Sequence, residues 1–181
     1  ERGANPRRAN RNGEQALQLA AWNGHLEAVK WLIEHGAPVN RDGSYWGALH
    51  YATFTGHQEL ARYLIERGAN VNVRSPNGST PLMMAAREGR EELTKLLLES
   101  GADMKARNDW GDTALTLAMR YDHYRVGKMI SSPEEFAIAV KALLQTKSNI
   151  DSGIFRPLQD AATAALNGDS AWMQERNQAY Q

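Results

Sequence analysis

The chain has 181 residues with 21 basic and 21 acidic side chains, so its formal net charge is zero and no global field draws it to nucleic acid or to an anionic membrane. A hydrophobic fraction of 42% suffices for a core without staples, and the lack of cysteine excludes disulfides, thiolate metal sites and a cysteine nucleophile together. No apolar run approaches the roughly 18 residues that span a bilayer and no signal-peptide pattern opens the chain, which predicts a soluble protein of open compartment, the cytoplasm being favoured.

The opening ERGAN reads as the end of a repeating unit, so material upstream of residue 1 is expected. Each following unit predicts a pair of antiparallel helices. In the first, Leu17 and Ala20 lie on one short helix, Gly24 follows it, and LEAVKWLIEHGAPVN makes a second, with Ala28, Val29, Leu32 and Ile33 as its apolar stripe. The second unit repeats this with Leu49, Ala52, Gly56 and QELARYLIERGANVN, the third with Leu82, Ala85, Gly89 and EELTKLLLESGADMK. Gly3, Gly36, Gly68 and Gly101 stand just beyond the second helices at spacings of 33, 32 and 33, where a left-handed cap favours glycine. Residues 40–47, 72–79 and 105–112 are rich in Asn, Asp, Gly and Ser, as turns between units require. Tyr45 replaces the glycine found at Gly13, Gly78 and Gly111, which predicts a distorted first hairpin. The fourth unit keeps Leu115 and Ala118 but has Asp122 for the glycine, Gly127 inside its second helix, Ser131 in place of an apolar residue and Glu134 in place of the cap. The array is therefore expected to stop there.

A period near 33 that carries Thr80-Pro81-Leu82 followed by Ala85-Ala86, with Gly-His at 24–25 and 56–57, resembles the ankyrin repeat. The resemblance implies an all-α solenoid of paired antiparallel helices with short hairpin turns over residues 1–131, built from a partial N-terminal repeat and four further repeats. It also implies a protein-binding module whose hairpin tips and inner-helix ends form a concave contact face.

Beyond residue 131 the period is lost. Ser132, Pro133 and Glu135 predict a fresh helix start, with a serine cap, proline in the first turn and a glutamate reaching back. Phe136, Ala139, Val140, Leu143 and Leu144 then follow at helical spacing, so residues 132–181 read as a helical tail that caps the array. Residues 142–181 resemble a stretch of pyridoxal-phosphate-dependent class I aminotransferases, K-S-x-x-D-x-G-x-F-x-P, and so suggest a fused fragment. The S-x-x-K loop that carries that family's cofactor lysine is absent, which predicts no enzyme activity and no cofactor. The segment 131–181 carries 4 basic against 6 acidic residues, where 1–130 carries 17 against 15, consistent with two parts of different origin. Self-association through residues 133–181 is the structural alternative to a binding module, and an aminotransferase-related fragment is the enzymatic one.

Candidate site residues come from columns that vary between repeats. Inner-helix ends contribute Trp22, Asn23, Phe54, Thr55, Arg87 and Tyr121; hairpins contribute Trp46, Arg74, Arg107 and Trp110. Aromatic side chains at exposed positions are common anchors of protein interfaces, and the hairpin arginines suit an acidic partner. Catalytic residues and metal ligands are expected to be none. His25, His50 and His57 occupy repeat positions, His35 and His123 are expected to face solvent, and no H-E-x-x-H or G-x-S-x-G pattern occurs.

Overall fold

A computed structural model describes residues 5–11, 14–41 and 45–148. The chain divides into two compact units, Glu1–Ile130 and Ser131–Gln181. In the first, four helix pairs follow one another: α1 (Ala16–Trp22) with α2 (Leu26–Glu34), α3 (Ala48–Thr55) with α4 (Gln58–Glu66), α5 (Pro81–Arg87) with α6 (Glu91–Glu99), and α7 (Ala114–Arg120) with α8 (Tyr124–Met129). The odd-numbered helices form an inner row in which each touches the next, and the even-numbered ones form an outer row. Among the described residues there is no strand, only an isolated bridge between Ala9 and Gln15, so the fold is all-α.

Side-chain size explains the two rows. Inner helices bury Ala21, Ala52, Ala85 and Ala118, all completely enclosed, and such small residues let neighbouring helices approach closely. Outer helices close over them with Val29, Leu64, Leu97 and Val126. One member of the predicted stripe on α2 fails: Ala28 is exposed, while Leu32 and Ile33 are half-buried. The outer row begins with α2 among the described residues, so fewer of its faces are covered than those of α4 or α6.

The glycine columns behave as their spacing predicts. Gly36, Gly68 and Gly101 have φ of 88°, 86° and 84°, the left-handed conformation that ends the outer helices. Between inner and outer helix, Gly24, Gly56 and Gly89 are also left-handed, and Asp122 holds that conformation at φ 62° in the fourth repeat.

A set of hydrogen bonds ties each repeat to the next. Asn40 donates through Nδ2 to the carbonyl of Gly68 (2.8 Å) and accepts from the Asn70 amide (2.8 Å). Asn72 repeats this with Gly101 (3.1 Å) and the Asp103 amide (2.8 Å), and Arg7 Nε reaches Gly36 in the same way (3.2 Å). The capping glycine of one repeat is thus held by a side chain of the repeat before it.

The outer helix α8 is shorter than the others, six residues against nine. In the second unit α9 spans Pro133–Ser148 and starts with the predicted box: the Ser132 amide donates to Glu135 Oε2 (3.1 Å) and the Glu135 amide to Ser132 Oγ (3.2 Å). Phe136 and Val140 are buried, and Ala139, Leu143 and Leu144 are half-buried. Most of the aminotransferase-like stretch, residues 149–181, lies outside the described residues, as do residues 42–44 of the hairpin expected to be distorted.

Candidate functional site

The inner helices end in register, which brings one residue from each repeat into a row. Trp22 closes α1, Phe54 lies in the last turn of α3, Arg87 closes α5 and Tyr121 follows α7. Helical rise and a period of 32 or 33 keep these positions adjacent across repeats. Trp22 stacks on Phe54 with ring centres 5.9 Å apart and planes at 17°, and meets Tyr51 edge-on at 5.4 Å. Trp46, from the hairpin before α3, approaches Tyr51 at 5.2 Å and Phe54 at 5.8 Å. The Arg87 guanidinium extends the row, 5.9 Å from the Phe54 ring and 5.3 Å from that of Tyr121. Tyr51 is the member that the variable columns miss; its signal is the i, i+3 relation to Phe54 on one helix.

Exposure sorts the candidates. Trp22 and Tyr121 are exposed, and Trp110 at a hairpin tip is 69% exposed. Trp46 and Phe54, expected on the surface, are half-buried. The reason is mutual: each lies against two of the other rings, and Trp46 also contacts the His50 ring at 5.8 Å. Trp46→Ala is accordingly expected to lower folding stability by about 1 to 2 kcal/mol, since half of an indole's packing is lost. Urea unfolding of the variant checks this, and an unchanged midpoint would return Trp46 to the free surface.

Several polar candidates serve the fold. Asn23 Nδ2 donates to the Leu19 carbonyl (2.8 Å) and Thr55 Oγ1 to that of Tyr51 (2.7 Å), each satisfying its own helix end. Arg74 Nη1 bridges two hairpins by donating to the carbonyls of Arg107 (2.8 Å) and Gly78 (3.3 Å). Arg107 Nη1 closes its own turn on Gly111 (2.8 Å). Arg74 and Arg107 remain exposed, so their charges still face solvent. Asp112 is largely buried and takes a two-pronged contact from Arg120, at 2.6 and 2.9 Å.

Three of the five histidines pack against neighbouring repeats. His50 is fully enclosed; its Nδ1 accepts from the Gly47 amide (3.1 Å), so Nε2 carries the proton and donates to the Ser79 carbonyl in the next repeat (3.0 Å). Burial lowers its pKa to about 4, against the opposing pull of the Ser79 and Val73 backbone. His57 packs over Gly24 and contacts the Trp22 carbonyl (3.2 Å). His123, expected to face solvent, instead packs over Gly89, where an added Cβ would come within 2.5 Å of its Nδ1. It occupies the position of His57 and Arg90, and each of the three covers the left-handed glycine of the preceding repeat. No group of three His, Asp or Glu among the described residues is placed to hold a metal ion. None of their helices is long and apolar enough to cross a membrane.

Comparison with known proteins gives two results. Residues 2–75 and 72–139 match the family described as ankyrin repeats (3 copies). A separate segment of 58 residues, 32% of this chain, is 38% identical to LL-diaminopimelate aminotransferase 2 of Trichormus variabilis (strain ATCC 29413 / PCC 7937), and spans 14% of that enzyme's length.

Proposed function

From the premise that the chain belongs to the ankyrin-repeat family, whose repeats are in general protein-interaction modules, we propose that it binds a protein partner along the row from Trp22 to Tyr121 and the adjoining hairpins, and that it is not a catalyst. The observation that carries this is the unbroken series of ring and guanidinium contacts across four repeats, exposed at Trp22 and Tyr121. Rings already held by their neighbours lose little side-chain freedom on binding, which favours them as anchors. Trp22, Trp110 and Tyr121 are the anchors in this reading. Trp46 and Phe54 shape the surface beneath them, Asn23 and Thr55 border it, and Arg74, Arg87 and Arg107 supply its positive charge. Neither nucleic acid nor a membrane is the partner.

The test is affinity capture with the parent chain and with a Trp22→Ala/Trp110→Ala variant. Both positions are exposed, so the variant should keep the parent's helical circular dichroism while its retained partner binds about tenfold more weakly or is lost. Equal retention by a folded variant would move the interface away from this row.

A further inference from the structure

Arg87 differs from the arginines around it. Arg74, Arg107 and Arg120 have their guanidinium groups engaged by backbone carbonyls or by Asp112. The Arg87 side chain makes no hydrogen bond among the described residues. Its Nε is buried without an acceptor, and its ion pair with Glu88 is a long 3.5 Å contact to that same nitrogen. Two rings from different repeats hold the group, Phe54 on one side and Tyr121 on the other, while the side chain stays 42% exposed. A guanidinium held within cation–π range of two rings, its outer nitrogens unclaimed, is free to make two parallel hydrogen bonds to a planar oxyanion.

We propose that Arg87 is the specificity-determining residue of the face, and that the partner segment presents a carboxylate to its fork beside an apolar or aromatic group that packs on Trp22 and Phe54. This inference rests on the reading of the row as the binding surface. Local charge sets the choice of anion. The Glu88 contact is long and the Arg120–Asp112 pair is neutral within itself, which leaves the single charge of the Arg87 fork for the partner to balance. A single Asp or Glu does so; a phosphorylated residue, near two negative charges at neutral pH, overshoots.

A displayed library of random linear peptides, selected on the intact chain, tests this. Retained peptides should share an Asp or Glu at constant spacing from an aromatic, aliphatic or proline residue. In synthetic copies, changing that acid to Asn or Gln should weaken binding to the parent about tenfold, yet change nothing further on Arg87→Gln. Arg87→Lys, which keeps the charge and loses the fork, should recover only part of the affinity. If Arg87→Gln does not fold, Arg87→Lys and the peptide substitutions complete the comparison. Peptides without an acidic preference, or peptides that need Trp22 and bind Arg87→Gln as they bind the parent, overturn the carboxylate assignment and leave the face standing. Peptides indifferent to Trp22→Ala and Phe54→Ala overturn the face itself, and a selection that retains none counts against both.

Discussion

Leu64→Ala is expected to destabilise the repeat array by about 2 to 5 kcal/mol, the range for emptying a leucine-sized site in a packed core. Leu64 is 0% exposed and sits on α4, which has an outer helix on each side, α2 and α6. Collapse of the void would have to draw in helices of two other repeats, each tied at its capping glycine, Gly36 by Arg7 and Gly101 by Asn72, so little relaxation is available. Because stability in stacked repeats resides largely in the contact between neighbours, loss at this central position should move the unfolding of the whole array. Leu32, at the same place one repeat earlier, is only half-buried, and Leu32→Ala should cost distinctly less. Chemical denaturation followed by circular dichroism reads both. A loss under about 1 kcal/mol for Leu64→Ala, or equal losses for the two, would contradict the packing described here.

The array is also expected to lose stability in mild acid through His50. Its pKa in the fold, about 4, lies below the ordinary histidine value of 6.5 because the enclosed ring is kept from water. The unfolded chain therefore binds the proton first as pH falls. The stabilisation is complete above about pH 6.5 and is lost progressively as pH falls toward 4; the loss reaches roughly 2 kcal/mol at pH 5 and roughly 3 kcal/mol at pH 4. Protonation also places a hydrogen on Nδ1, which now accepts from the Gly47 amide, so the link from α3 to the Ser79 carbonyl is disturbed at its base. Unfolding free energies at pH 7.5 and 5 should differ by that amount in the parent and by much less in His50→Gln. An equal acid loss in the variant would assign the effect to other groups.

Much of this architecture is written locally in the chain. Helix capping, apolar spacing and left-handed glycine each depend on a few consecutive residues, so the 33-residue period, the ends of the outer helices at Gly36, Gly68 and Gly101, and the Ser132–Glu135 start of α9 are all legible without coordinates. The aromatic candidates could be chosen from the columns that vary, and three of them, Trp22, Trp110 and Tyr121, are exposed as expected.

By itself, then, the sequence determined the repeat family, the helix pairs and the residue types available at each inner-helix end. Only the tertiary structure decided what those residues do, because the deciding contacts join positions about one repeat apart, 28 to 36 residues in the chain. Asn40 reaches Gly68, His50 reaches Ser79, Trp22 stacks on Phe54, and Arg87 lies between Phe54 and Tyr121. Whether an aromatic ring in such a column stands free or is covered depends on the neighbouring repeat's side chain, which is why Trp46 and Phe54 are half-buried while Trp110 is not. The same dependence makes His123 a cover for Gly89 rather than a solvent-facing residue, and leaves Arg87, alone among Arg74, Arg87, Arg107 and Arg120, with its outer nitrogens unbonded among the described residues.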